Sequence, residues 1–200
     1  MKRTLAVVFL TIGLVGCSVN HKLQYTVSSN PASFELTDQR PAKDKAEANG
    51  KAAGFPGYVL GDNEFTPNRL AVVRDRLNQM VGGQLAGHAV VVKRLQSLEY
   101  HPNQLGIDAL VFGDIPTQPA QLQAIDISKH QYWAVCKLVV EVSGVQHSGL
   151  GILGYDGPLV DYPGNHTKVL LAAINQVALS IGRAPPNQQP KPTPYRRGLP

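Results

Sequence analysis

The strongest strand pattern in the chain runs from Tyr132 to Ser143. One of its faces carries Tyr132, Ala134, Cys136, Leu138, Val140 and Val142, and the other Trp133, Val135, Lys137, Val139, Glu141 and Ser143. The second face is half apolar, more than a wetted sheet face needs. Gly144 to Gly149 reads as a turn and Leu150 to Tyr155 as the returning hairpin strand. Ala89 begins a β-branched strand that continues to about Tyr100, where Lys93 and Arg94 mark a wetted face or edge. Shorter strand patterns occur at Leu23, Tyr25 and Val27, at Phe34 and Leu36, and at Tyr58–Leu60.

Two segments repeat at helical spacing instead. In the first, Thr66 is the expected N-cap and Pro67 the first helical residue, with Phe65 and Leu70 as a hydrophobic staple. Leu70, Val73, Leu77 and Met80 or Val81 form its stripe, and Gly82-Gly83 is its expected end. Arg69, Arg74 and Arg76 fall off that stripe, on a face expected to be solvated. The second helix is expected from Asn165 or Thr167 to Gly182, with a stripe through Val169 or Leu170, Ala173 or Ile174, Val177 or Ala178, and Ile181. Together these elements predict an α+β fold: a two-layer structure with a mostly antiparallel sheet and two amphipathic helices on one face. Residues 42–57 read as a charged surface loop, and 105–127 as a loop excursion with one short strand or turn around Ala109–Phe112.

Composition changes this picture mainly at the two termini. The chain of 200 residues has a formal net charge of +5, which would suggest a nucleic-acid partner if it were spread over the fold. It is not: Lys2 and Arg3 stand at the start, while Lys191, Arg196 and Arg197 stand in a C-terminal segment without acids. Between Cys17 and Arg183 there are 14 basic and 14 acidic residues, so a nucleic-acid-binding reading loses its support. Six of the 17 residues from 184 to 200 are proline, which predicts a disordered, basic tail.

At the N-terminus, Lys2 and Arg3 precede an apolar run from Leu5 to Leu14, about half of what a bilayer-spanning helix needs. Leu14-Val15-Gly16-Cys17 follows, and this stretch resembles the lipobox of bacterial lipoproteins. The resemblance implies that residues 1–16 are a removed signal and that Cys17 carries a diacylglycerol thioether. Ser18 is not the aspartate that retains such proteins in the inner membrane, which implies the outer membrane, facing the periplasm. The organisation expected is therefore a signal (1–16), a lipidated cysteine with a short tether (17–22), a single periplasmic domain (23–183) and the tail (184–200).

Little else in the chain carries chemistry. Gly149-Leu150-Gly151-Ile152-Leu153-Gly154 has the letters of a dinucleotide fingerprint, but no helix opens at its glycines and Val169 stands where an acid is needed. The histidines at 21, 88, 101, 130, 147 and 166 include no pair at helical ligand spacing, so no metal site is expected. Asp161 and His166 flank a turn without a third ligand. Cys136 has no base cued nearby, and no activated-serine motif occurs. No catalytic residue and no cofactor is expected.

In the order of its elements the chain resembles the uncharacterised YajG-like outer-membrane lipoproteins. The similarity lies in the lipobox, the early Asp38-x-Arg40, Gly61-Asp62 before the first helix, and a late hairpin followed by a helix. No reaction is implied by that family. The expected function is a non-enzymatic binding or assembly component of an envelope complex, held to the outer membrane by its lipid and to an envelope protein by a sheet face or edge. Trp133, Val135 and Val139 are the candidate partner surface. The competing reading is a carrier or sensor of a small apolar or lipid ligand.

Overall fold

The computed structural model describes residues 21–46, 48–49, 57–100, 130–156 and 162–183. The expected signal (1–16), Cys17 with residues 18–20 of the expected tether, the expected excursion at 105–127 and the expected tail from 184 lie outside the described residues, while residues 21–22 of that tether form a strand.

In chain order the elements are β1 (His21–Lys22), β2 (Glu35–Asp38), a 3₁₀ turn (Ala42–Asp44), β3 (Ala48–Asn49), β4 (Gly57–Leu60), a second 3₁₀ turn (Asp62–Glu64) and β5 (Phe65–Thr66). Then follow α1 (Arg69–Leu85), β6 (Ala89–Tyr100), β7 (Tyr132–Val142), β8 (Val145–Tyr155) and α2 (Tyr162–Arg183). The main sheet has the order β3-β4-β6-β7-β8, and β2 also pairs with β6. All its pairings are antiparallel except β2 with β6, while β1 and β5 form a separate short parallel pair. The fold is α+β, with a mostly antiparallel sheet and two helices on one face, as the alternation predicts.

The face of β7 read as core is core: Ala134, Cys136, Leu138 and Val140 are completely buried, and they pack with Val90, Val92 and Leu95 of β6 under both helices. From α1 come Val72, Val73, Leu77, Val81 and Leu85, and from α2 come Val169, Leu170, Ala173, Ile174, Val177, Ala178 and Ile181. The two helices run parallel. Phe65 meets His166 edge-on at 5.8 Å near their starts, and Arg76 Nε donates to Asn175 Oδ1 (3.2 Å) along their length.

Several boundaries differ from expectation for identifiable reasons. Residues 23–27 are irregular, because the N-terminal segment is held by Leu23 N–H on Thr66 O (2.7 Å) and by Tyr25 on α1, not by a ladder. Asn68, not Thr66, caps α1, its side chain accepting from Leu70 N–H (2.8 Å), and Pro67 lies outside the helix after a cis bond. α1 does not stop at Gly82-Gly83. It kinks at Val81, where Ser33 Oγ donates to the Gly82 carbonyl (2.7 Å), and continues to Leu85. α2 starts at Tyr162, before the expected caps. The β7–β8 turn is only Ser143-Gly144, both at positive φ (50° and 82°), as a tight hairpin turn of the primed type requires. Gly149 therefore lies within the strand.

That placement gives the fingerprint-like glycines a packing role. A Cβ on Gly149 would lie 2.0 Å from Ala173 O, and one on Gly151 would lie 1.8 Å from Val169 O, so the backbone of α2 rests directly on β8. Gly151→Ala is expected to lower stability by about 3 kcal/mol or more, because backbone must move to admit the methyl group. Gly83→Ala, with open space around its Cβ and a helical setting, is expected to be neutral or stabilising by up to about 1 kcal/mol. Urea unfolding of the two variants measures both. Equal effects would mean that the helix–strand contact is not close.

Candidate functional site

The expected partner surface is on the side of the sheet away from the helices. Val59, Leu98, Val135 and Ile152 form a row there across four strands, with Trp133 beside it. The expectation of an open apolar face is not met at its two main residues. Trp133 is 8% exposed, its ring edge-on to His130 at 5.4 Å and close against Gly154, where a Cβ would meet both rings. Val135 is 2% exposed, flanked by Leu98 and Ile152, and only Val139 is half-buried. Lys137 is buried on the same face.

The catalytic candidates weighed in the sequence stay apart. Cys136 is completely buried in the core and desolvation pushes its thiol up to about 12, which leaves a small hydrophobe in place of a nucleophile. His166 is buried against Phe65, while Asp161 lies outside the described residues. His130 Nδ1 is 3.0 Å from Asp156 Oδ2, and the Gln131 N–H bonds the other carboxylate oxygen. These contacts, led by the Gln131 N–H, hold Asp156 below its ordinary range. Burial lowers the His147 imidazole, which contacts Ser180 Oγ at 3.0 Å. Among the described residues no three His, Cys, Asp or Glu side chains converge as metal ligands, and no helix is long and apolar enough to cross a membrane.

The concentrated polar chemistry lies where sequence reasoning placed solvent. β2 and β4 both lie on the edge of β6 opposite β7, β2 along residues 89–92 and β4 along 97–100. Between them the register of β6 shifts at Val92/Arg94, and the turn Ala42–Asp44 sits beside the gap. Arg40 joins the two strand ends. Its guanidinium donates to both carboxylate oxygens of Asp38 (2.9 and 3.1 Å) and to both of Asp62 (3.1 and 2.7 Å), with its side chain fully buried. Arg69, also fully buried, bonds Asp62 from α1 and stacks over the Phe65 ring at 4.8 Å. Asp44 accepts from Gln96 Nε2 (2.7 Å) and lies 3.7 Å from Arg94 Nε. Lys45 closes the outside on Asp38 at 3.0 Å.

The two early sequence signals, Asp38-x-Arg40 and Gly61-Asp62, thus meet in one cluster. Arg69 and Asp44, both expected on solvated surfaces, complete it. The Arg40 bonds hold Asp38 well below the usual carboxylate range. For Asp62 burial opposes ionisation, but the bonds from Arg40 and the charge of Arg69 outweigh it and its carboxyl is lowered too. Burial raises Asp44. Arg40 pairs fully with Asp38 and Asp62, which makes this part of the cluster a structural clamp, while Arg69 Nη1 and Asp44 Oδ2 are buried without a hydrogen-bond partner among the described residues.

One element remains open. β8 is the terminal strand of the sheet, and among the described residues no strand pairs with its outer edge. Its 11 residues, Val145–Tyr155, include no charged residue and no proline. Leu150 donates its N–H to Gln176 Oε1 (2.9 Å) from α2, not to β7. By alternation Gln146, Ser148, Ile152 and Gly154 likewise turn their N–H and C=O groups outward. The sequence shows this strand but not its place at the edge.

No family model, no curated protein and no solved structure matches this chain.

Arg40→Leu is expected to cost about 3 kcal/mol, since it removes the buried guanidinium shared by two half-buried carboxylates and leaves Asp38 only Lys45 and Asp62 only Arg69. A loss under 1 kcal/mol in urea unfolding would mean that the clamp is dispensable. Asp38 and Asp62 ionise more readily in the folded than in the unfolded chain, so their stabilisation is present above the unfolded value near pH 4 and is lost as pH falls through their folded values. Asp44, shifted upward, acts in the opposite sense between the unfolded value and its folded one. The unfolding free energy of the parent should therefore fall steeply only below about pH 4, and that fall should be shallower in Arg40→Leu.

Proposed function

We propose that this chain is a lipid-anchored periplasmic protein of the outer membrane, attached through Cys17, and that it acts without catalysis as a binding or assembly component of an envelope complex. The observation that carries the reading is the outer edge of β8. Among the described residues β8 is a long edge strand with no charge, proline or bulge, which soluble monomers avoid, because unpaired backbone groups template pairing with another chain. A partner protein that adds a strand there gains main-chain hydrogen bonds at Gln146, Ser148, Ile152 and Gly154, on either side of the Leu150 N–H that Gln176 caps, and side-chain contacts on the two faces. The edge replaces Trp133 and Val135 as the contact surface, since both of those side chains are buried. Val139 stays next to it, paired with Ser148.

Crosslinking in cells with the full-length protein, followed by mass spectrometry and run beside Cys17→Ala, tests the anchor and the partner together. One or two envelope proteins should be enriched only when Cys17 is intact. Ser148→Pro removes an outward N–H without touching the β7 ladder, and is expected to abolish that enrichment while leaving the unfolding midpoint nearly unchanged. Undiminished capture by a folded Ser148→Pro variant would rule out strand addition at β8. Recovery of the protein alone, with intact Cys17, would rule out the assembly role.

A further inference from the structure

We infer that the end of the domain where both helices begin faces the phospholipid headgroups of the membrane that holds Cys17. The inference rests on the lipid-anchor reading above. Only Ser18, Val19 and Asn20 separate Cys17 from β1, and four Cα steps span at most about 14 Å. β1 in turn has a fixed place. It pairs with β5, and the residues after it are bonded down: Leu23 N–H to Thr66 O (2.7 Å) and Gln24 N–H to Thr167 Oγ1 (2.8 Å), in the early turns of α2. Leu23 itself is buried.

The tether therefore leaves the domain beside Phe65, Asn68 and His166. The parallel helices carry the chain away from that end: the 22 residues of α2 rise about 33 Å, more than twice the reach of the tether. Leu85, Gly87, the Ser143-Gly144 turn and Arg183 mark the far end.

The chemistry of the near end suits a headgroup surface. Its exposed side chains include Lys22, Gln24, Asn63, Thr66, Asn68 and Lys168, all cationic or uncharged donors. The acids nearest to them are turned inward, Asp62 on Arg40 and Arg69 and Glu64 on the Gly61 N–H (2.7 Å). Among the described residues Asp156 is the exposed acid at this end, where β8 ends beside the start of β7, and it is bonded to His130 and the Gln131 N–H. Cations and donors near phosphate oxygens are favourable, by about 1 kcal/mol per lysine at an anionic surface. The exposed large apolar side chains Met80, Val145 and Leu179 lie away from this end. Among the described residues the contact is therefore polar and rests on the headgroups.

Full-length lipidated protein with one added cysteine tests the orientation. The near positions are Thr66→Cys and Asn68→Cys, and the far positions Ala86→Cys and Gln146→Cys, all exposed in the parent. Each is labelled with a maleimide dye and reconstituted into phosphatidylethanolamine–phosphatidylglycerol vesicles carrying a headgroup-linked quencher. Native thiols do not compete, because Cys136 is completely buried and Cys17 is consumed by the lipid. Quenching is expected to be several-fold stronger at the near positions than at the far ones. Equal quenching at both ends, or stronger quenching at the far end, overturns the orientation. The intact mass of the same samples reads the anchor independently. A diacylglyceryl adduct on Cys17 upholds the anchor whatever the quenching shows, and its absence overturns the anchor and the orientation together.

Discussion

The structure depends on how the long edge of β6 is closed. One side of β6 is satisfied by β7 along nearly its whole length, but the other is shared by two four-residue strands with a gap between them. Strand ends that short hold little register on their own. Arg40 supplies the missing constraint by binding both carboxylate oxygens of Asp38, at the end of β2, and both of Asp62, just beyond β4. A one-residue slip of β2 would turn Asp38 to the opposite face of the sheet and leave a buried guanidinium without its partner. Charge pairing therefore selects the register that apolar burial on these short strands does not. Arg69 extends the same constraint into α1, so the first helix is fixed to the sheet by Asp62 as well as by its apolar stripe.

The second helix is fixed by a different device. β8 has glycine at 149 and 151, so α2 lies on backbone and not on side chains, with its carbonyls at Val169 and Ala173 closest. Close approach brings Gln176 near enough to cap the Leu150 N–H at the outer edge. One consequence follows for the edge itself. The glycines and the helix above them occupy the strand's inner face, and the outward backbone groups of Gln146, Ser148, Ile152 and Gly154 are left with no strand beside them among the described residues.

What was legible in the sequence is what local periodicity encodes. β7 shows itself by one face that is apolar over its whole length, and α2 by the stripe from Val169 to Ile181. The α+β class follows from the order of such segments. What was not legible depends on contacts far apart in the chain. Arg40 and Asp62 are 22 residues apart, and Gln96 meets Asp44 across 52, so no window along the chain marks these charges as buried. Asp44 and Arg69 therefore looked like solvated residues. The same limit misplaced the hairpin: Gly149 has the letter of a turn, but its reason is a helix that arrives 24 residues later at Ala173. Trp133 and Val135 were misjudged in the reverse sense. Alternation assigns a side chain to a face, but it does not say whether that face is covered.

The orientation and the edge constrain each other. β8 runs from Val145, at the far end, to Tyr155, at the end where the helices begin, so its 11 residues cover roughly 35 Å along the long direction of the domain. With the near end on the headgroups, that edge stands upright on the membrane. A strand added to it extends the sheet sideways, over the membrane surface, and its partner must present an extended segment within about the same 35 Å of the headgroups. Proteins anchored in or on the same membrane satisfy that requirement, and a partner confined to the opposite side of the periplasm does not. On the proposed anchor, the short tether would act on partner choice without touching the partner, by fixing the height at which the open strand is offered.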